Sequence, residues 1–330
     1  MAPRVWLLLG ERAGEIAQQR VLAHALGLPV IEKRLDDPST QLHAPWPDLL
    51  ISFGNRLAAA VKIKRDSGGR TRLVHLGRPR GVATDFIDLI VPMPQDRVPW
   101  ALNVTSLRMP LTRFDSARLA ADAQRLEARL QQHPRPWTAL LVGGPSRHFD
   151  FNVDLARALG QQASAHARRQ GGSLLVTTSP RTPADCTAAL RAAIDVPNAF
   201  YEFHAPDPEN PLGGYLGAAD AIVVTGDTSS MLGEAWRTGK PVYVAPLPAK
   251  RDLRRRLIRV GQTLLPPALE LSLQRRGLIS ARVDLRGWLE DLQHAGYIAW
   301  LGDAAPTRSY TPEIDTDLSR VVARIRSLLV

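Results

Sequence analysis

The sequence is poor in cysteine and lacks the short motifs of several large enzyme classes. Cys186 is its only cysteine, which excludes an internal disulfide and fits a reducing compartment. The eight histidines show no His-x-x-x-His spacing, which argues against a zinc site. A Walker loop and a Gly-x-Ser-x-Gly elbow are also missing. These absences disfavour zinc enzymes, P-loop enzymes and serine hydrolases.

Long hydrophobic runs are missing as well. No apolar stretch approaches the roughly 18 residues that a membrane-spanning helix needs. The apolar run near the N-terminus ends at Gly10 and is followed by Glu11 and Arg12, which is typical of a first strand rather than a signal peptide. We therefore expect a cytoplasmic protein, and a peripheral position at the inner membrane stays open.

The charge is one-sided. Lysine and arginine number 42 against 32 acidic residues, which gives a formal net charge of +10. Such a field favours anionic partners, among them nucleotides and lipid headgroups. The densest basic run, residues 250–259, is interpreted as a solvated helix face, a surface for membrane or a lipid-linked substrate, or a nucleic-acid contact. Aromatic residues do not alternate with it, so nucleic acid is the least favoured partner.

Short β-rich runs alternate with helical periodicity along the chain. This alternation predicts an α/β fold of two doubly wound Rossmann-like domains facing a cleft. A proline-rich segment at 133–137 serves as the predicted linker between an N-terminal domain, 1–132, and a second domain, 138–310. Residues 311–330 are predicted to form a C-terminal helix that packs back on the first domain. Ligands of such sheets bind beyond the carboxyl ends of the strands, so the loops that follow strands are the candidates for a site.

The first of these loops is "GERAGE", residues 10–15. Its two glycines, just before a helix, let the backbone approach a ligand and point amides at an anion. Arg12 is the candidate anion clamp, and Glu11 or Glu15 is the candidate general base. An ordinary strand-to-helix turn is the structural alternative.

Two more loops follow strands of the second predicted domain, "VGGPSRHF" at 142–149 and "TTSPRTP" at 177–183. The paired glycines remove side chains where a phosphate would approach, and the hydroxyl and guanidinium groups are candidate hydrogen-bond donors to it. A Gly-Pro turn and a helix cap are the structural alternatives. The candidate nucleotide-binding residues of these loops are Gly143, Gly144, Ser146, Arg147, Ser179 and Arg181.

The stretch "VTGDTSSMLGEAWRTGKPVYVAP", residues 224–246, breaks from a strand into a polar loop before a helix. If Ser229 or Ser230 starts that helix, its free backbone N–H groups form an anion site. Glu234 comes one position too late to close a capping box on Ser230, which leaves its carboxylate for a ribose diol. Asp227 would repel a phosphate, so it either orients the loop or meets sugar hydroxyls. Thr225 ends the strand, and simple helix capping is the alternative for the whole stretch.

A metal site is not predicted. The Asp315-Thr316-Asp317 segment imitates the Asp-x-Asp of metal-dependent sugar transferases. It opens the predicted terminal helix, however, where the helix dipole favours acidic residues. We therefore interpret both carboxylates as structural.

Several of these segments resemble known proteins. The glycine pair at 143–144, the Ser-x-x-x-Glu-Ala helix start at 230–235 and "TGKPVYVAP" resemble the glycosyltransferase B fold. More specifically, "GERAGEIAQ", "PDLLISFGNRLA", "TTSPRTP" and "NPLGGYLGAADAIVVTGDTSSMLGEA" resemble the mitochondrial fission elongated-mitochondria (Elm-type) family and its bacterial relatives. The similar segments are spread over residues 10–244, and the tail beyond Pro248 matches less clearly.

The resemblance implies a metal-independent glycosyltransferase that uses a nucleotide-diphosphate sugar as substrate and needs no other cofactor. The acceptor would be an envelope or lipid-linked saccharide, with peripheral contact to an anionic membrane. A non-catalytic membrane-associated scaffold and a sugar-nucleotide 2-epimerase-like isomerase are the alternatives, although Gly233 replaces the first glutamate of the epimerase pattern. The implied donor-side residues are Thr225, Asp227, Ser229, Ser230 and Glu234, with Ser179, Arg181 and Thr182 nearby.

Overall fold

The computed structural model describes residues 3–37, 40–112, 114–205, 207–250, 265–311 and 316–330. The chain divides into two compact units. Unit 1 comprises Met1–Arg113, Asp252–Leu285 and Asp315–Val330, and unit 2 comprises Phe114–Arg251 and Arg286–Ile314. Apart from Lys250, the basic run at 250–259 lies outside the described residues, as does Asp315.

Unit 1 is built on a five-stranded parallel sheet with the strand order β2-β1-β3-β4-β5. The sequence of β1, VWLLL, is apolar and buried at every position, as a strand covered on both faces requires. A short antiparallel pair, β6 with β12, completes the strands of this unit in the described residues. The bounds are β1 Val5–Leu9, β2 Val30–Arg34, β3 Leu49–Phe53, β4 Arg72–Leu76, β5 Leu89–Val91, β6 Asp96–Arg97 and β12 Arg282–Val283.

Helices cover both faces of this sheet. Alternate residues of β1 point to opposite faces: Val5, Leu7 and Leu9 pack with α1 (Ala13–Leu26) and α10 (Asp317–Leu328). On the other face, Trp6 and Leu8 pack with α2 (Leu57–Asp66). The prediction that the C-terminal helix packs on the first domain is confirmed, and α8 (Pro267–Arg275) also belongs to this unit.

The acidic start of α10 has a structural role. The Asp317 carboxylate accepts a hydrogen bond from the Arg108 backbone amide and forms an ion pair with Arg320 at 2.7 Å. These contacts fix the first turn of the helix, in agreement with the structural interpretation of this aspartate.

Unit 2 contains a six-stranded parallel sheet with the order β13-β11-β10-β7-β8-β9. Helices α4 (Val153–Arg169) and α5 (Ala184–Ala193) pack with the face that carries Leu140, Val176 and Val223. Within the described residues, no helix of either unit is long and apolar enough to cross a bilayer. The strand bounds are β7 Trp137–Leu141, β8 Ser173–Thr177, β9 Asn198–Tyr201, β10 Ala221–Thr225, β11 Val242–Ala245 and β13 Ala299–Trp300.

Helices α6 and α7 lie against strands β7 and β10, and α9 follows β12 in the chain. A further helix, α3, packs against α6 at very close range, because three glycines of α6 present no side chains to it. The bounds are α3 Ser116–Leu130, α6 Leu212–Ala218, α7 Ser229–Arg237 and α9 Leu285–His294.

Helix α3 belongs to unit 2, so the chain leaves unit 1 before this helix and not after it. The passage occurs before α3, between residues 113 and 114, whereas the sequence analysis placed a linker at 133–137. Segments 252–285 and 315–330 then return to unit 1. The reason is tertiary: α3 is an amphipathic helix whose partner, α6, lies about 90 residues further along the chain.

Candidate functional site

Three polar loops of unit 2 meet because they follow three neighbouring strands. Strands β10, β7 and β8 are adjacent and parallel, so their carboxyl ends lie at one edge of the sheet. The Gly143 amide donates to Thr225 Oγ1 at 2.8 Å, and the Gly144 amide donates to Asp227 Oδ2 at 3.2 Å. Residues 82 and 83 positions apart in sequence are therefore joined through the glycine amides.

The glycine pair is sterically required at this place. A Cβ built on Gly143 would lie 2.6 Å from Cγ of Asp227, and one on Gly144 would lie 3.0 Å from Cβ of Arg181 and closer still to the Arg181 carbonyl. Neither position accepts a side chain without displacing a neighbouring loop. The two glycines therefore bring the backbone of the β7 loop directly against the β10 and β8 loops.

Asp227 is the central charged residue of this cluster. Its carboxylate is fully buried, and its Oδ2 forms an ion pair with Arg181 at 2.7 Å. The Arg181 side chain is 42% exposed, so it is partly accessible to solvent. Within the described residues the buried Oδ1 has no hydrogen-bond partner. Asp227 thus holds the Gly144 amide and Arg181 together. The sequence left two roles open for Asp227, orienting the loop or binding sugar hydroxyls, and these contacts are of the first kind.

The β8 loop is held by Thr182. Its hydroxyl donates to the Gly143 carbonyl and accepts from the Ser179 amide at 3.0 Å. The Ser179 hydroxyl in turn accepts from the Arg181 amide at 3.3 Å. Sequence analysis placed Thr182 only near the site, yet together with Arg181 it bonds the β8 loop directly to the β7 loop.

Helix α7 begins at the edge of this cluster. Thr228 is its N-cap and its hydroxyl accepts from the Met231 amide at 3.4 Å, so Ser229 is the first helical residue, as one of the two predicted starts. No hydrogen bond is recorded for the amides of Ser229 and Ser230 within the described part of the chain. Both serines are partly exposed. The first turn therefore presents two N–H donors and the positive end of the helix dipole.

Glu234 lies on the same helix, one turn after Ser230. Its side chain is half-buried, and this burial raises the pKa of the Glu234 carboxyl above its usual range, while Arg237 opposes the shift. Within the described residues, no group donates a hydrogen bond to this carboxylate. A desolvated carboxylate without a bonded donor is suited to accept hydrogen bonds from a ligand's hydroxyl groups.

The remaining candidates of the β7 loop contribute differently. The Ser146 hydroxyl accepts from the amides of His148 and Phe149, both at 3.1 Å, and so stabilises the turn that the loop makes. Arg147 is exposed beside it. Of the predicted unit 2 residues, Ser146 therefore bonds only within its own loop in these contacts. Direct contacts between loops join Thr225, Asp227, Arg181 and the glycine pair.

The candidate residues of unit 1 also meet at strand ends, after β1 and β3. Arg12 pairs with Glu15 at 3.2 Å, and Arg56 pairs with Glu11 at 3.4 Å. The Arg56 side chain is largely buried, and Gly10 leaves it room, because a Cβ there would lie 3.2 Å from Arg56 Nε. Sequence analysis missed Arg56, although Gly-x-Arg follows β1 at 10–12 and β3 at 54–56 alike.

Comparison with known families identifies the chain. Residues 13–265 match the family described as Mitochondrial fission ELM1. The chain belongs to the mitochondrial fission ELM1 family. The matched range contains all the candidate residues of unit 2, whereas Glu11 and Arg12 precede its first residue.

Two curated relatives each match part of this chain. Mitochondrial fission protein ELM1 of Arabidopsis thaliana is 27% identical over 220 residues, which cover 60% of this chain and 51% of the plant protein. Uncharacterized protein RP120 of Rickettsia prowazekii (strain Madrid E) is 27% identical over 126 residues, 38% of this chain and 36% of that protein. This family member thus spans about half or less of the length of the curated relatives it matches.

A solved structure shares the fold of this family member. S. aureus MnaA, in a co-structure with UDP, has a TM-score of 0.50 at 11% identity, with 99% of this chain and 97% of that chain covered. MurG of Acinetobacter baumannii has a TM-score of 0.45 at 13% identity, with 98% and 100% covered. At this identity the similarity to MnaA concerns the fold alone. The predicted α/β fold, with two Rossmann-like units of the glycosyltransferase B type, is confirmed.

Proposed function

We propose that unit 2 binds the nucleotide diphosphate of a sugar donor and that the protein is a glycosyltransferase that needs no metal ion. The observation that carries this proposal is the anchoring of the Gly143 and Gly144 amides to Thr225 and Asp227. That anchoring sets a loop without side chains at the strand ends, next to the start of α7. A helix start beside a glycine loop suits a phosphate group, because both present backbone N–H donors.

The diphosphate is assigned to the amides of Ser229 and Ser230, with the partly exposed Arg181 as the cation. Asp227 does not oppose this assignment, since its charge is balanced by Arg181 at 2.7 Å. When the glycosidic bond to the diphosphate breaks, negative charge grows on the leaving phosphate oxygen. Fixed amides and a guanidinium stabilise that charge without reorganisation, which is the role that a metal ion has in other sugar transferases.

Glu234 is assigned to the ribose of the donor. Its half-buried carboxylate, for which the described residues supply no hydrogen bond, accepts hydrogen bonds from two vicinal hydroxyls in this proposal. Ligand binding would then supply the donors that the protein itself does not.

The acceptor is assigned to unit 1, at the loops after β1 and β3. Glu11 and Glu15 are the candidate bases there, and Arg12 is the candidate clamp for an anionic group of an envelope or lipid-linked saccharide. Each glutamate is paired with an arginine, at 3.4 Å to Arg56 and 3.2 Å to Arg12. An anionic acceptor that draws the arginines away would release the carboxylate to take a proton from the attacking hydroxyl.

A thermal-shift panel with UDP, GDP, CDP and dTDP, from roughly 0.1 to 5 mM, tests the donor site. A ligand at about 100 times its dissociation constant stabilises the native state by about 2.7 kcal/mol. We expect one nucleotide to raise the melting temperature of the parent. Neither Glu234→Ala nor Gly143→Ala should respond to it, because the first removes the ribose contact and the second displaces the loop.

Glu209→Ala is the matched control, since Glu209 is exposed and lies in unit 2 outside the three loops. It should respond as the parent does. If no nucleotide raises the melting temperature of the folded protein, the donor site is refuted and a non-catalytic scaffold is favoured. Conversion of the sugar nucleotide in the absence of any acceptor would refute transfer and favour an epimerase. Release of the diphosphate that depends on an added saccharide acceptor, and persists in EDTA, would support the proposal.

A further inference from the structure

Large apolar side chains are exposed mainly in two segments of unit 1. Trp100 and Leu102 are 77% and 79% exposed in the loop after β6, and Leu278 is 67% exposed just after α8. Phe86, which precedes β5, and Leu269, on α8, are also exposed. Burying an indole and several leucines away from water is strongly favourable. A concentration of such exposed side chains therefore indicates a surface that a binding partner covers.

The two segments line one cleft. A narrow cleft of about 20 Å³ separates Pro99 and Ala101, on either side of Trp100, from Leu271 and Ile279. The Thr84 hydroxyl donates to the Arg275 carbonyl at 3.5 Å, which joins the turn before Phe86 to the end of α8. We name residues 84–86, 98–102 and 267–279 the α8 surface.

The α8 surface is also cationic. Beside the cleft, and sharing Leu271 and Arg275 with it, lies a cavity of about 310 Å³ that Ser272, Arg275 and Arg276 line on one side. Neither arginine has an ion pair recorded within the described residues. Asp85 is the acidic residue of this cavity.

Other charges near the surface do not neutralise it. Arg65 lies over the Phe86 ring at 4.9 Å and adds a further positive charge. Glu270 on α8 is held by Arg282 at 2.8 Å, so its negative charge is balanced locally. Exposed apolar side chains with arginines beside them are therefore the dominant feature of the α8 surface.

We propose that the α8 surface docks on an anionic lipid bilayer, with Trp100, Leu102 and Leu278 in the interface and Arg275 and Arg276 on the headgroup phosphates. Tryptophan and leucine beside arginine match the layered chemistry of a bilayer surface, apolar below and anionic above. A protein partner would have to match both an apolar and a cationic area, whereas a bilayer presents both at once. The proposal uses residues outside the three loops of unit 2 and does not depend on donor binding.

Vesicle flotation of the full chain tests the proposal. The vesicles are phosphatidylcholine alone and phosphatidylcholine with roughly one third phosphatidylglycerol. We expect binding to the anionic vesicles only. Each basic residue near an anionic surface contributes about 1 kcal/mol, so the double variant Arg275→Gln, Arg276→Gln should bind about 30-fold more weakly. The double variant Trp100→Ser, Leu102→Ser should lose at least about tenfold.

Matched controls separate this surface from the general charge. Arg168→Gln with Arg169→Gln removes two adjacent exposed arginines from the end of α4 in unit 2 and changes the net charge equally. Ile31→Ser removes an exposed apolar residue of β2 in unit 1. Both controls should bind anionic vesicles as the parent does. All these variants change exposed side chains, so each should retain the parent's melting temperature and its nucleotide response.

Three results would overturn the proposal. The first is that the parent does not float with anionic vesicles. The second is that the α4 control loses as much binding as the α8 variant, which would mean that total charge and not this surface binds lipid. The third is a concentration-dependent dimer of the parent that Trp100→Ser with Leu102→Ser abolishes, which would assign the surface to a second copy of the chain.

Discussion

A buried histidine lies in the middle of the unit 1 sheet. His75, on β4, is completely buried and its Nδ1 is 2.9 Å from the Ser52 hydroxyl on the adjacent strand β3. Burial lowers the pKa of the His75 imidazole to about 3, a hydrogen bond with the Arg78 backbone opposes this shift, and the Arg80 charge adds a smaller contribution to it. His75 is therefore neutral in the folded protein at physiological pH.

This pKa predicts a loss of stability in mild acid. The unfolded chain takes up a proton at His75 below about pH 6.5, whereas the folded chain does so only near pH 3. The contribution of His75 to stability is fully present above the pKa of this histidine in the unfolded chain. It is lost as the pH falls towards the pKa of His75 in the folded protein. Between about pH 7.5 and pH 5 this group should lower the free energy of unfolding by about 2 kcal/mol.

The measurement is urea unfolding of the parent and of His75→Leu at those two pH values. The leucine variant should lose about 2 kcal/mol less than the parent over this range, because it has no proton to bind there. His294→Leu, at an exposed histidine of α9, should keep the parent's full dependence. Equal losses in the parent and in His75→Leu would contradict the prediction.

At the same scale, the sequence selected residues of unit 2 that contact one another in the structure, but it did not predict those contacts. It selected Asp227 as either a loop-orienting group or a ligand for sugar hydroxyls. The structure brings its carboxylate to the Gly144 amide and to Arg181. These partners lie 83 and 46 positions away, so only the order of the strands determines that they meet.

Among the secondary-structure elements, the pair α3 and α6 depends most on residue size. Gly213, Gly214 and Gly217 of α6 face α3, and a Cβ on Gly217 would lie 2.9 Å from the Leu119 carbonyl carbon. The obstruction is backbone, which cannot move aside as a side chain can. Glycine is unfavourable inside a helix, so its presence at three positions of a seven-residue helix reflects this contact.

Gly217→Ala should destabilise the protein by up to about 2 kcal/mol. Alanine gains roughly 1 kcal/mol in helix propensity, but overpacking typically costs about 1–3 kcal/mol and here forces α3 and α6 apart. Chemical denaturation measures the difference. The control is Gly14→Ala, at an exposed glycine in the first turn of α1, which should be neutral or stabilising. A stabilised Gly217→Ala would show that the helices have room to spare.

On the scale of the whole molecule, the described residues 265–285 and 316–330 belong to unit 1, although residues of unit 2 precede both segments in the chain. Unit 1 is completed by α8, β12 and α10, which come from the last third of the sequence. Val321 and Ile325 of α10 are fully buried against the face of the sheet that carries Val5 and Leu7. The first 132 residues therefore do not contain all the core of the unit they begin.

A fragment of residues 1–132 should accordingly fail to fold. Leaving one buried valine or isoleucine without its cover costs about 1.5–3 kcal/mol, and a whole domain is stable by only about 5–15 kcal/mol. We expect no cooperative thermal transition and poor dispersion of amide signals in NMR spectra. Joining residues 316–330 to residues 1–112 through a flexible linker should restore part of the helical signal. Cooperative melting of the fragment alone would contradict this view of unit 1.

The sequence by itself determined the elements and the fold class. Strands such as VWLLL and AIVVT are continuous apolar runs, which only a strand covered on both faces can bury, and their alternation with helices requires parallel sheets. It also marked the polar loops after β7, β8 and β10, because local composition changes abruptly there. These features depend on neighbouring residues, so they can be recognised without three-dimensional information.

Only the tertiary structure decided what depends on strand order and close approach. It joined Gly143 to Thr225, Gly144 to Asp227 and Thr182 to Gly143, it placed α3 with unit 2, and it returned α8 and α10 to unit 1. It also brought the loop of Trp100 against α8, some 170 residues away. No local pattern encodes such pairs, because each is fixed by how two distant segments pack on the same sheet.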